Sequence, residues 1–334
     1  MRHINIPVFI PHLGCPNQCV FCNQRTISGV RKFSAESVRE IIDTALSTIE
    51  DEAEVEIAFF GGSFTGIDRQ LMLSLLEIAH SYIQDGRVSS IRCSTRPDYI
   101  DEGILVLLRK YGVKTIELGL QSSSDKVLEK SKRGHYSEAE KRACKLIVEN
   151  GFDLVGQMMI GLPGADIQSE LETARFIVSA GAVGARIYPT VVFRETELCR
   201  MTIDGEYHPL TIDEAVSRSA DVLEIFLNSG VDVIRIGLQA SEGLSGDDTY
   251  LAGPNHSALG EMVIGQVYYN RILKILSEKN FSDDDKITVL VSVGSLSKAI
   301  GQKKRNKLRL SEKYQNICFA ESAKILGYDI LVTK

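Results

Sequence analysis

The 334-residue chain lacks an apolar run of membrane-spanning length, and its first residues lack the long apolar core of a secretory signal. It also lacks an overall excess of basic residues, since the formal net charge is -6. These absences argue against a bilayer location, and they restrict any binding of nucleic acid to a local basic patch. The sequence has seven cysteines, which is an odd number, and no secretory signal precedes them. We therefore expect a protein of the reducing cytoplasm.

Three of the seven cysteines are clustered. Cys15, Cys19 and Cys22 follow an apolar run with the spacing C-x3-C-x2-C. In a helix they would stack on one face as small buried side chains, but Gly14 and Pro16 favour a loop. Structural zinc needs four protein ligands, and no further His or Cys follows at finger spacing, whereas thiolates also bind iron–sulfur clusters. The pattern predicts a metal-binding loop, and a zinc site is the alternative.

Strands and helices alternate through the first two thirds of the chain, which predicts a parallel sheet with helical crossovers. The predicted strands are residues 4–13, 55–60, 91–94, 115–120, 154–160 and 185–188, with a seventh at 231–239. Polar or glycine-rich segments follow the strands, at the edge where barrel enzymes place their chemistry. We therefore predict an α/β fold, a partial (βα)6 TIM-like barrel whose strand ends face the cysteine loop.

The last hundred residues predict a separate module. A Gly, Ser and Asp loop at 241–255 marks a domain boundary, which gives a barrel at 1–240 and a basic α+β module at 241–334. Within the module we expect a helix at 264–276, a strand at 287–293, two helical pieces interrupted at Gly301, and a final strand pair at 317–320 and 328–332.

A cluster of basic residues surrounds Gly301. The residues predicted to contact RNA are Lys298, Lys303, Lys304, Arg305 and Lys307. The order strand, helix, basic loop, helix, strand resembles a KH-type RNA-binding fold, although the loop lacks the second glycine of G-x-x-G. The alternative is a solvated helix face.

The cysteine spacing, with Phe21 before the third cysteine, resembles the pattern of the radical S-adenosylmethionine (SAM) superfamily. The resemblance implies a 4Fe-4S cluster on Cys15, Cys19 and Cys22 that is reduced by an electron donor. It also implies that the open iron chelates SAM, which is cleaved to methionine and a 5′-deoxyadenosyl radical. A non-catalytic RNA-binding protein that retains the cluster is one alternative.

Residues 1–240 resemble, more specifically, the radical SAM domain of the Elongator catalytic subunit, which modifies wobble uridine in tRNA. The matching segments are 94–99, 116–122, 133–135, 158–163 and 187–190. This resemblance implies an RNA substrate, specifically tRNA. Elongator proteins carry an acetyltransferase domain after the radical SAM domain, for which we expect no room in this chain, so the resemblance does not extend to carboxymethyl chemistry from acetyl-CoA. A weaker resemblance to oxygen-independent coproporphyrinogen oxidases keeps a small-molecule substrate as an alternative.

The resemblance also implies residues that bind SAM. Gly61, Gly62 and Ser63 match the turn that receives the amino group, Gln121 and Gln157 would bind the ribose, and Arg133 would bind the carboxylate. Ser94 occupies a position where Elongator has Glu.

Polar residues in apolar strands are candidates for substrate contact, because a charge inside a barrel needs a partner or a ligand. Arg186, Tyr188 and Arg235 are the predicted catalytic residues, together with Glu117 as a candidate contact. The alternative is one internal Arg–Glu ion pair.

Overall fold

A computed structural model describes residues 2–10, 13–16, 19–23, 33–49, 53–238, 249–279, 281–282 and 284–334. Its largest element, within these residues, is a sheet of seven parallel strands. These are β1 Arg2–Ile10, β2 Ala53–Gly61, β3 Ser90–Thr95, β4 Val113–Gln121, β5 Asp153–Ile160, β6 Gly184–Pro189 and β8 Asp232–Ile236. They lie in the order β1-β2-β3-β4-β5-β6-β8 and curl into a half-barrel, which confirms the predicted α/β class.

Helices cover the outer face of this sheet. Those of the barrel are α1 Ser37–Leu46, α2 Arg69–Gln84, α3 Glu102–Lys110, α4 Asp125–Lys130, α5 Ser137–Glu149, α6 Ile167–Ser179, α7 Glu197–Ile203 and α8 Ile212–Ser229. Asp68, Asp101, Asp166 and Thr211 cap the first turns of α2, α3, α6 and α8 through their side chains. Because crossover helices run opposite to parallel strands, these first turns lie at the carboxyl ends of the strands.

Alternation along the strands separates an apolar outer face from a polar inner face. On β4, for example, Ile116 and Leu118 belong to the hydrophobic core under the helices, whereas Glu117 points into the half-barrel. Arg186 on β6 is likewise directed inward, between the core residues Ala185 and Ile187. The inner face is therefore built to hold polar contacts rather than to pack.

A small module follows the barrel. It contains the helices α9 Leu259–Glu278, α10 Leu296–Ile300 and α11 Arg305–Ser311, and the strands β10 Ile287–Val291, β11 Ile317–Glu321 and β12 Ile330–Thr333. The predicted pairing of the last two strands is wrong, because β10 lies between them. β11 pairs with one edge of β10 in parallel, and β12 pairs with the other edge of β10 in the antiparallel direction. The break predicted at Gly301 separates α10 from α11.

Helix α9 belongs to two hydrophobic cores. Val263 and Val267 in its first half are buried in the barrel core, whereas Ile272 and Leu276 in its second half are buried in the core of the small module. The boundary predicted between residues 240 and 241 lies outside the described residues.

Two short strands, β7 Val192–Phe193 and β9 Tyr250–Ala252, form an antiparallel ribbon beyond the end of β6. Among the helices that the structure describes, none combines the length and apolarity that a membrane crossing requires.

Candidate functional site

The cysteine loop is anchored on the turn that follows β2. The amide of Gly62 donates to the carbonyl of Ile10 at 3.0 Å, and the amide of Ser63 donates to the carbonyl of Leu13 at 3.1 Å. A Cβ atom on Gly62 would overlap the Leu13 carbonyl oxygen, and one on Gly61 would overlap the Ile10 carbonyl. Glycine is therefore required here for close packing of two backbones, in addition to the ligand contact that sequence predicts.

The three clustered cysteines line one small cavity of about 100 Å³ at the carboxyl ends of the strands. The predicted residues that share this cavity are Cys15, Cys19, Cys22, Gly61, Gly62, Ser94, Gln121, Arg133 and Gln157. In the described part of the chain, no group of three or more His, Cys, Asp or Glu side chains is placed to hold a single metal ion. Three thiols around one cavity suit a cluster, in which each thiolate binds a different iron, better than a single zinc ion.

Among the residues predicted to bind the cluster or SAM, Ser63 is the one that does not line the cysteine cavity. Its side chain is buried, where its hydroxyl hydrogen-bonds the hydroxyl of Thr95 at 2.8 Å and accepts the amide of Arg96 at 3.2 Å. The side chain thus joins the β2 turn to the end of β3, and it does not line the cysteine cavity.

Arg133 is buried beside the cysteines. Its Nη1 donates to Sγ of Cys19 at 3.2 Å, and its Nη2 donates to the carbonyl of Gly119 at 2.5 Å. Its Nε is buried with no hydrogen-bond partner. An unpaired buried donor is costly, so this atom is suited to an acceptor on a ligand.

Gln121 shows backbone strain next to the same cavity. Its φ is +71°, and the register between β4 and β5 shifts between Gly119 and Gln121. Its buried Oε1 has no partner. Residues held in the left-handed region cluster at functional sites, where the surrounding structure maintains the strain. Gln157, on β5, donates from Nε2 to Ser94 at 3.3 Å and to Glu117 at 2.9 Å.

Arg96 lines the cysteine cavity and was not among the predicted site residues, although it lies in one of the matching segments. Its guanidinium donates to both carboxylate oxygens of Asp98 at 2.9 Å, whereas its buried Nη1 has no partner. Burial raises the pKa of the Cys15 thiol, and the charge of Arg96 opposes that rise. Asp98 also lies 3.6 Å from His135, which in turn hydrogen-bonds Glu140 at 3.2 Å.

A second cavity, of about 560 Å³, occupies the interior of the half-barrel. The residues that line both cavities are Phe21, Cys22, Gly61, Ser94, Gln121 and Gln157. The three predicted catalytic residues, Arg186, Tyr188 and Arg235, all line it. Burial raises the pKa of Tyr188, so its phenol is neutral at physiological pH. The cysteine cavity thus opens into a chamber lined by the catalytic candidates.

Glu117 lies fully buried between two arginines. Its carboxylate accepts two hydrogen bonds from Arg186, at 2.7 and 2.8 Å, and one from Arg92 at 2.9 Å. Burial alone would raise the pKa of Glu117, but hydrogen bonds and charge from Arg186 and Arg92 outweigh it and lower the pKa. The internal ion pair that sequence left as an alternative therefore exists for Glu117 and Arg186.

A parallel half-barrel with three cysteines at its strand ends defines a class of metalloenzyme, and comparison with known families agrees. The radical SAM superfamily matches residues 9–177, and the radical SAM C-terminal domain matches residues 182–268. Since the first match covers half of the chain, the protein belongs to the radical SAM superfamily of enzymes.

Individual relatives of this chain include proteins of the Elongator type. An uncharacterized protein of Methanocaldococcus jannaschii, MJ0486, is 31% identical over 66% of this chain and 70% of its own length. The tRNA uridine(34) acetyltransferase of the same organism is 32% identical over 39% of this chain, but only 25% of that protein is covered. The structure of Methanocaldococcus infernus Elp3 matches 83% of this chain and 63% of its own, with a TM-score of 0.62 at 21% identity, which confirms the fold.

Radical SAM enzymes use a 4Fe-4S cluster and SAM. The residues present fit both groups. The cysteines supply thiolates, while the unpaired Nε of Arg133, Nη1 of Arg96 and Oε1 of Gln121 supply buried donors and an acceptor around the same cavity. A ligand with a carboxylate and ribose hydroxyls would satisfy these atoms.

Proposed function

We propose that this radical SAM enzyme acts on RNA, with tRNA as the expected substrate. One contact carries the proposal. Arg305, at the start of α11 in the small module, donates to Asp213 in the first turn of α8 at 2.8 Å. The first turn of α8 lies at the carboxyl ends of the strands, so this contact supports a position of the basic cluster near the face that bears the cysteines.

The basic turn between α10 and α11 is held rigidly. Gly301 has φ +81°, and Asn306 is buried behind it, where its side chain donates to the carbonyls of Gly265 and Ala299 at 2.7 and 3.0 Å. Lys303 and Lys304 follow with φ of +51° and +62°, both exposed. Two successive non-glycine residues in the left-handed region are unfavourable, which is typical of a turn maintained for binding.

The lysines of this turn are available to phosphate. Lys298, Lys303, Lys304 and Lys307 have no ion-pair partner in the part of the chain that the structure describes, whereas Arg305 is paired with Asp213. Contacts between such cations and phosphates provide most of the affinity of non-specific binding to nucleic acid. We therefore assign the RNA-backbone contact to the lysines, and to Arg305 the additional task of positioning the turn.

The interior cavity supports an RNA nucleobase as the reacting part. Phe9, Phe21, Phe60 and Phe193 line it, and the guanidinium of Arg186 lies over the ring of Phe60 at 5.4 Å from the centroid. Aromatic rings and guanidinium planes are the surfaces on which unstacked bases bind. A base inserted here would lie beside Cys22 and Gln121, where the two cavities join.

Residues of the chain take separate roles in this proposal. Cys15, Cys19 and Cys22 hold the cluster, and Gly61, Gly62, Ser94, Gln121, Arg133 and Gln157 surround SAM. Arg186, Tyr188 and Arg235 contact the substrate. When bound, the reduced cluster and SAM supply a 5′-deoxyadenosyl radical that removes a hydrogen atom from the substrate. The relatives that act on tRNA by name extend well beyond the matched region, so the atom that is modified does not follow from them.

The test is anaerobic reconstitution with iron and sulfide, reduction in the presence of SAM, and measurement of 5′-deoxyadenosine with and without bulk tRNA. We expect iron and labile sulfide in the protein, and product that rises with tRNA. Product that does not depend on tRNA would favour a small-molecule substrate. RNA binding without product from a fully loaded cluster would instead favour a non-catalytic RNA-binding protein.

A further inference from the structure

Two arginines face each other across neighbouring strands inside the half-barrel. Arg186 on β6 and Arg235 on β8 are paired positions in the parallel register, and both side chains line the interior cavity. Like charges at directly paired positions repel, and a cavity wall of low polarity strengthens that repulsion. Such an arrangement requires compensating negative charge.

Within the described residues, a carboxylate pairs with only one of these two arginines. Arg186 forms a bidentate ion pair with Glu117. Arg92 bridges the two glutamates, since its guanidinium lies 2.9 Å from the carboxylate of Glu117 and 2.6 Å from that of Glu56. The charges of the two arginines and the two glutamates in this buried network cancel. No anion of the network remains for Arg235.

Arg235 has no ion-pair or hydrogen-bond partner among the residues that the structure describes, and it is half-buried. The cavity also contains the side chain of Asn5 on β1, at the opposite edge of the sheet, whose buried Oδ1 has no partner. Among the described residues, the interior therefore presents the positive charge of Arg235 without a paired anion and the amide oxygen of Asn5 without a donor, and both point to a ligand.

We propose that Arg235 binds an oxyanion, a phosphate or a carboxylate, carried by the substrate that enters the half-barrel. The proposal rests on the proposed function in one respect: a substrate other than SAM must enter this cavity. Arg235 does not line the cysteine cavity, where Arg133 and Arg96 already face the ligand, so the carboxylate of SAM is not its partner. A guanidinium fork matches either oxyanion with two parallel hydrogen bonds.

The first test measures thermal unfolding of the reconstituted, SAM-bound protein in chloride, phosphate or malonate at equal ionic strength. We expect phosphate or malonate to raise the Tm of the wild type by at least about 2 °C over chloride. Arg235→Gln should abolish this rise, and Arg235→Lys should retain part of it. Arg175→Gln, an exposed helix position, is the control and should keep the full rise.

In chloride alone, Arg235→Gln should be at least as stable as the wild type, because the substitution removes repulsion from Arg186. Retention of the anion-dependent rise in Arg235→Gln would overturn the proposal, as would a loss of stability in chloride. A rise with phosphate alone would favour a phosphate as the group that Arg235 binds. A rise with malonate alone would favour a carboxylate.

The second test is activity at limiting tRNA. Arg235→Gln should lower tRNA-dependent formation of 5′-deoxyadenosine at least about 10-fold, whereas the exposed control Arg175→Gln should keep the wild-type rate. Equal tRNA-dependent rates would count against Arg235 as a substrate contact. If tRNA does not stimulate the wild type, the RNA proposal fails, whereas the anion test still decides the role of Arg235.

Discussion

Arg133 donates a hydrogen bond to the sulfur of Cys19 at 3.2 Å and leaves its buried Nε unpaired beside the same cavity. One side chain therefore contacts a proposed cluster ligand and retains a buried donor that suits SAM. We predict that Arg133→Gln weakens SAM binding roughly 10- to 100-fold, the range expected for a hydrogen bond to a charged group. Equilibrium binding of SAM to the reconstituted protein measures the effect.

The matched control for Arg133 is its neighbour Lys132, which is exposed and paired with Glu197 at 2.6 Å. Lys132→Gln should bind SAM like the wild type, and both variants should hold wild-type amounts of iron and sulfide. Unchanged SAM affinity in Arg133→Gln would remove Arg133 from the SAM site.

Glu117 is the anion that holds the interior network together. We predict that Glu117→Gln lowers the free energy of unfolding by about 3 to 5 kcal/mol, since it leaves Arg92 and Arg186 buried without their shared carboxylate. Denaturant titration measures the loss. Glu138→Gln, at a position 87% exposed, should change stability by less than about 0.5 kcal/mol. A similarly small effect at Glu117 would show that the network contributes little.

Glu140 makes stability depend on pH in the direction opposite to most carboxylates. Burial raises its pKa from the usual 4.5 to about 7, although its hydrogen bond with His135 acts to lower the pKa. Between these values the folded state keeps a proton that the unfolded chain has lost, so stability falls as pH rises toward and through 7.

We predict that the wild type loses about 1 to 3 kcal/mol from this group between pH of about 5 and about 8, as measured by denaturant titration across that range. Glu140→Gln mimics the protonated acid and should flatten this part of the profile. An identical pH profile in the variant would mean that Glu140 is ionised in the folded protein at neutral pH.

Lys303 and Lys304 can lose their charges without loss of their backbone conformation, because asparagine tolerates positive φ better than most residues. We predict that the double variant Lys303→Asn, Lys304→Asn weakens tRNA binding and reduces the slope of log affinity against log salt by up to about 1.5. SAM cleavage without RNA should not change.

The control for these lysines is Lys141→Gln with Lys145→Gln, which removes two charges from exposed positions on α5. That variant should bind tRNA with the wild-type salt dependence. Equal slopes for both double variants would place the RNA contact elsewhere on the molecule.

Strand positions were predictable from sequence because each buried strand is a short apolar run followed by glycine or polar residues. The convergence of the three clustered cysteines on one cavity was predictable for a similar reason, since their spacing is local. The ribbon of β7 and β9 was missed because strands of two and three residues are too short to show periodicity.

Contacts between distant residues limited prediction of the site. Glu117 and Arg186 are 69 residues apart, and their polar character alone could not distinguish an ion pair from a substrate contact. Arg96 was overlooked because its sequence position shows nothing of the unpaired nitrogen that it directs toward the cysteine cavity. The contact between Arg305 and Asp213, 92 residues apart, has no sequence signal at all.

Helix α9 has a consequence for how the two parts of this molecule can be separated. A chain cut after residue 240 would lose Leu259, Val263 and Val267 from the barrel core, and would expose apolar surface on α8 and β8. The half-barrel without its small module would therefore be prone to aggregation. Deletion of the module cannot test the proposed RNA contact separately from folding, whereas substitution of exposed lysines can.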